Sequence, residues 1–134
     1  MGSFINKNKL LKAGLVENDF FIWFDDTEHS LRLRKVGKMI CLPNLVIKHD
    51  VEKSNAKLSW KSYYGFRNGL ICHKKHFAST FPFALLVLLG KTFLSPLKGH
   101  SLAEVKMRLV AMKDAVLGNM GVHKIYKPGW KPDE

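Results

Sequence analysis

Residues 1–50 read as the end of an α/β domain, residues 51–121 as a mainly helical region, and residues 122–134 as an extended tail. Three observations lead there. Two short β-type segments, Lys38–Leu42 and Leu45–Lys48, follow a pair of helix patterns and are joined by a Pro43-Asn44 turn. From residue 57 onward, apolar and aromatic residues recur at helical spacing. The basic excess is confined to that second region: residues 1–50 hold 8 Lys/Arg and 6 Asp/Glu, whereas residues 51–132 hold 14 and 3.

In chain order, Asn6–Ala13 reads as a short helix stopped by Gly14. An apolar block, Phe20-Phe21-Ile22-Trp23-Phe24, then runs directly into Asp25-Asp26-Thr27-Glu28. Asp26 or Thr27 is suited to cap a helix, and Glu28 adds negative charge to its first turn, where the helix dipole favours it. That helix is expected to continue through Leu31, Leu33 and Val36 to Gly37, a residue suited to the C′ position. The two β segments follow, the second ending at His49. Alone they would leave edges unpaired and a face uncovered, too little to close an α/β domain.

Residues 57–77 carry Trp60, Tyr63, Tyr64, Phe66, Leu70 and Ile71 in an amphipathic helical pattern. Residues 80–95 form the most apolar segment, with Thr80 as a cap and Pro82 in the first turn. Ser101-Leu102-Ala103-Glu104 has the form of a capping box. Behind it, Leu102, Val105, Leu109, Met112 and Val116 line one face until Gly118. Pro128, Gly129 and Pro132 mark Val122–Glu134 as a loosely held end.

A chain of 134 residues has room for one modest core, and 46% apolar with 25% charged residues argues against wholesale disorder. Cys41 and Cys72 read as buried free thiols of a reducing compartment rather than a disulfide framework. The run 81–94 is interrupted by Pro82, Gly90 and Lys91, and falls short of the ~20 apolar residues that a spanning helix needs. No charged-then-apolar signal pattern opens the sequence. A net charge of +11 calls for a polyanion. The apolar runs between the charges, Phe81–Leu89 above all, favour an anionic membrane surface over nucleic acid. A cytoplasmic protein, peripheral on the inner face of the plasma membrane, is the expectation.

The strongest local chemical signal is the acidic cluster behind the apolar block. Like charges repel, and burial raises carboxylate pKa values, so such crowding is either a solvated first turn or a group used by a metal, a cation or a reaction. His49 stands at a β-segment end, where α/β folds gather functional groups, although by itself such a residue is more often a surface or hydrogen-bonded histidine than a ligand. Cys72-His73 with His76 does not make a convincing zinc set. Arg67-Asn68 reads as a buried polar anchor or a surface pair, and spacing does not decide.

In order along the chain, several segments resemble the family-2 inverting glycosyltransferases, in particular the galactofuranosyltransferase-like and rhamnosyltransferase-like members. They are Gly2-Ser3-Phe4-Ile5, Gly14-Leu15, Phe20 to Glu28, Ser30-Leu31-Arg32, Gly37, Pro43 and Leu45-Val46-Ile47-Lys48-His49. Tyr63-Tyr64-Gly65-Phe66-Arg67-Asn68 is similar to the aromatic Arg-Asn helix that follows the family's catalytic domain. The resemblance implies that residues 1–50 are the acceptor-side end of a GT-A (nucleotide-diphospho-sugar transferase) domain.

It also implies a mechanism. An acceptor hydroxyl attacks the anomeric carbon of a nucleotide-activated sugar, with Asp26 as base, while Asp25 and Glu28 position the acceptor or orient that base. Trp23 and Arg32 would contribute to substrate binding, and His49 would join the shell of a Mg²⁺ or Mn²⁺ that neutralises the leaving diphosphate. The implied donor is uridine-diphosphate galactofuranose first and deoxythymidine-diphosphate rhamnose second; the acceptor is a saccharide or a lipid-linked saccharide of cell-surface polysaccharide. One departure matters: the family's nucleotide-binding half, with its Asp-x-Asp motif, would precede residue 2. The chain is therefore expected to be a truncation, an excised fragment or a subunit completed by another chain, and inactive alone. The rival reading is a non-enzymatic basic module that binds a membrane surface.

Overall fold

The computed structural model describes residues 3–46, 48 and 58–132. The first element, α1 (Lys7–Ala13), starts where the Asn6 side chain accepts hydrogen bonds from the Asn8 and Lys9 amides, and it ends at Gly14, whose φ is 80°. A 3₁₀ turn at Asn18–Phe20 leads to α2 (Asp25–Val36). Arg32 of α2 ties the two helices together. Its guanidinium donates to the carbonyl of Ala13 (2.5 Å), one of the oxygens that α1 leaves open at its C-terminal end, and to that of Leu15 (2.8 Å) just beyond the helix. His29 Nε2 donates to the Gly14 carbonyl at 3.0 Å.

The predicted β segments do not form strands among the described residues. Among the described residues there is no strand and no sheet, and the α/β expectation gives way to a helical fold. Lys38–Leu42 runs as irregular chain, and Pro43-Asn44 is a turn closed by the Leu45 amide donating to the Leu42 carbonyl at 3.2 Å. Ile47 and His49 lie outside the described residues, as does Lys57, the first residue expected in the next helix; Leu58 and Ser59, expected within it, precede its first turn. The physical reason is pairing: a strand's amides and carbonyls need a neighbouring strand, and no other described segment provides one. Met39, Ile40 and Val46 are left exposed in consequence. Cys41, expected to be buried, is exposed with them, whereas Cys72 is buried.

The second region is helical as expected, with α3 (Trp60–His76), α4 (Phe81–Leu94) and α5 (Leu102–Leu117). The hub is α3. Ser62 Oγ accepts from the Ser59 amide at its start, and residues 63, 64, 67, 68, 70, 71 and 72 are buried. Two core clusters form along it. Phe20, Leu70, Ile71, Met112 and Ala115 make one, backed by the inner side of α4; Tyr63, Tyr64, Met107, Ala111 and Tyr126 make the other.

On α5 the buried residues are Glu104, Met107, Ala111, Met112, Asp114 and Ala115, so of the predicted apolar stripe only Met112 is among them. Ser101 caps the helix through the Glu104 amide (3.3 Å), but the Glu104 carboxylate turns to Arg108 and His100 instead of completing the box. Thr80 makes no side-chain cap to α4; its hydroxyl donates to the Phe77 carbonyl and meets His73.

The tail is not loose where Tyr126 sits. The Tyr64 hydroxyl donates to the Tyr126 carbonyl at 2.8 Å and accepts from the His123 amide at 3.0 Å. The Tyr63, His123 and Tyr126 rings pack with centroids 4.6–5.0 Å apart. Aromatic side chains in a Pro/Gly-marked segment had enough apolar area to bring it down onto α3.

Candidate functional site

The acidic cluster opens α2, and what precedes it determines how it is presented. Phe20 is fully buried and anchors the approach. Phe21, Trp23 and Phe24 all have positive φ, at 65°, 62° and 66°. Such a backbone costs bulky L-residues about 1–3 kcal/mol each and persists only where the surroundings impose it.

Here α3 imposes it. Asn68, itself fully buried, donates from Nδ2 to the carbonyls of Phe20 (2.9 Å), Ile22 (2.8 Å) and Trp23 (3.0 Å). Two glycines one helical turn apart let the aromatic side chains lie on the α3 backbone. A Cβ on Gly65 would stand 2.9 Å from the Trp23 ring, and one on Gly69 would stand 3.0 Å from Phe24. Arg67 supports the same face, with Nε donating to Asn68 Oδ1 (2.9 Å) and its guanidinium over the Tyr63 and Tyr64 rings. The Arg67-Asn68 pair is therefore a buried anchor.

The loop delivers its acids to different places. Helix α2 begins at Asp25, two or three residues earlier than a cap at Asp26 or Thr27 requires; the N-cap position is Phe24, which has no side-chain hydrogen bond to give. Asp25 is half-buried and Asp26 exposed. Asp26 Oδ1 accepts from the Thr27 amide at 2.7 Å and from the Thr27 hydroxyl at 3.3 Å. Trp23, three residues earlier, is 47% exposed.

Glu28 and Arg32 face the other way. The Glu28 carboxylate is buried and receives Arg32 Nε at 2.8 and 3.0 Å and His76 Nε2 at 3.0 Å. Burial by itself would raise the Glu28 pKa, but the hydrogen bonds from Arg32 and His76, with the nearby positive charge, bring it below the ordinary value. In this structure both residues are committed to joining α1, α2 and α3. His49 lies outside the described residues. Among the described residues, no group of three or more His, Cys, Asp or Glu is placed to hold a metal ion.

Sequence reasoning left Asn68 undecided and passed over Gly65 and Gly69. It considered His76 only as a metal ligand. The signal for the glycines was their spacing of four on a helix that faces an aromatic block. Nothing in the sequence pairs His76 with Glu28 across 48 positions.

A cleft of about 400 Å³ lies elsewhere, lined by Tyr63, Arg67, Asp114, Asn119, His123 and Lys124 among others. None of the acids at 25–28 lines it. The Tyr63 hydroxyl donates to Asp114 Oδ2 at 2.7 Å, and burial together with that carboxylate pushes the Tyr63 phenol well above its ordinary pKa. No protein-family model, curated protein or solved structure matches the chain.

Proposed function

We propose that this chain is the acceptor-side, base-bearing part of an inverting sugar transferase, with Asp26 as the general base. One observation supports it above the others. An exposed carboxylate stands at the start of α2 on an approach loop with three positive-φ aromatic residues, held by a buried asparagine. Backbone strain of this kind clusters where a side chain must be presented in one geometry. Glu28 and Arg32, held by internal partners, serve as the scaffold that seats α2.

In the proposed reaction the acceptor hydroxyl oxygen bonds to the anomeric carbon as the bond to the nucleotide diphosphate breaks. The hydroxyl proton passes to the Asp26 carboxylate. Trp23 offers an apolar face to a sugar ring, and Asp25 helps to orient the acceptor. A complementing chain or segment would supply the donor half; a Mg²⁺ or Mn²⁺ held there, with His49 as a contributing ligand, would neutralise the departing diphosphate.

The test joins this chain to a nucleotide-sugar-binding half and follows release of nucleotide diphosphate from uridine-diphosphate galactofuranose with a saccharide acceptor. Asp26→Asn should lower the rate by about 10²–10⁴-fold with the fold intact, as loss of a positioned base does. Undiminished transfer by the Asn variant would remove Asp26 from the role.

No helix among the described residues is long and apolar enough to cross a membrane. A peripheral place at the inner face of the plasma membrane, where lipid-linked acceptors are met, belongs to the same proposal.

A further inference from the structure

Helix α4 is apolar on every side, and only half of it has a partner. Phe81, Leu85, Leu88 and Leu89 pack toward the core, and Thr92 is buried with its hydroxyl donating to the Leu88 carbonyl at 2.7 Å. The opposite side is open. Phe83, Leu86, Phe93 and Leu94 are 71%, 66%, 66% and 56% exposed, and Leu97 in the turn beyond is 84% exposed. Positions 83, 86, 87, 90 and 94 recur at spacings of three and four, which puts them on one face. At Gly90, on that face, an added Cβ would meet nothing within 4 Å. Lys91, exposed, stands beside this face on α4, and Lys98, in the 3₁₀ turn beyond the helix, is exposed too.

A helix hydrophobic all round ordinarily has both sides covered, and an apolar face of this size marks an interaction surface. Charge selects the occupant. From Lys53 to Ala103 the sequence contains eight Lys/Arg and no Asp or Glu. A second copy would bring the same +11 charge against itself. An anionic lipid surface offers both an apolar layer for the aromatic side chains and negative headgroups for the flanking lysines. The 14 residues of α4 reach about 21 Å at 1.5 Å per residue, too short to span and suited to lying in the interface plane.

We propose that the outward face of α4, with Phe83, Leu86, Phe93 and Leu97 inserted and Lys91 and Lys98 at the headgroups, docks the protein on anionic membrane. This surface is separate from Asp26, and the proposal stands whether or not Asp26 is a base.

The test is co-sedimentation of the full chain with phosphatidylcholine vesicles, with and without phosphatidylglycerol, alongside sedimentation equilibrium without lipid. Binding is expected on the anionic vesicles, falling with salt. The exposed-site variant Phe83→Ser/Phe93→Ser should weaken it at least about tenfold while the circular dichroism spectrum is unchanged. Lys91→Gln/Lys98→Gln should weaken it about 25-fold on anionic vesicles only, from roughly fivefold per lysine. Asp26→Asn should bind as the parent does. Absence of binding, equal binding by the Phe83/Phe93 variant, or a dimer in lipid-free solution that this variant dissociates would overturn the proposal; the last would assign the face to a second copy.

Discussion

Replacing Asn68 by Ala tests whether α3 sets the conformation of the loop that presents Asp25 and Asp26. The amide donates two N–H groups to three carbonyls, those of Phe20, Ile22 and Trp23. The Phe20 residue is buried and its carbonyl has no easy access to water, whereas Ile22 is half-buried and Trp23 is half-exposed. A buried acceptor left without a donor costs about 1–3 kcal/mol, and the partly wetted carbonyls cost less. With the small void added, about 2–4 kcal/mol is expected in total. For a chain of this size that lowers Tm by roughly 10 °C and moves the urea midpoint by about 1–2 M. Asn68→Asp is the sharper control. It keeps the shape and the acceptor for Arg67 Nε, but sets a carboxylate oxygen against the three carbonyls. It should therefore destabilise at least as much as Ala. A loss below about 0.5 kcal/mol for either variant would refute the clamp, and with it the account of the positive-φ backbone at 21, 23 and 24.

Two further predictions concern pH. The carboxyl of Glu28 is held below its ordinary pKa, so the unfolded chain binds its proton first as pH falls. Its stabilisation is complete above the ordinary carboxylate range and is lost as pH drops through its own lower value. Thermal unfolding between pH 7 and 3 should show this loss, with a shallower acid limb in Glu28→Gln; an identical limb would mean the ion pairs contribute nothing. Burial also lowers the His123 pKa, against the pull of Asp114 and with the help of Arg67, and its Nδ1 accepts from the Ile125 and Tyr126 amides at 3.1 Å each. A protonated ring cannot accept there, so the stability it contributes is present above the ordinary histidine value and is lost as pH falls below it. Hydrogen-exchange protection of those two amides, corrected for intrinsic rate, should fall between pH 7 and 5. Unchanged protection would separate the tail from this histidine.

The sequence alone determined the helices, because their signals are local. Asn6 before 7–13, the Asp/Glu-rich start of α2, the aromatic spacing of α3 and the Ser101 cap act within one or two turns of where they stand. Local signals could not determine whether Lys38–Leu42 became a strand, since a strand exists only with a partner and the described chain provides none. Tertiary packing alone decided which α5 face is buried, that Arg67 and Asn68 point inward, and that Glu28 meets Arg32 and His76. It likewise decided that Asp26 faces solvent while Glu28, two residues on, does not. Each of these outcomes depends on groups dozens of positions apart competing for the same buried space, and no window of sequence contains both sides of that competition.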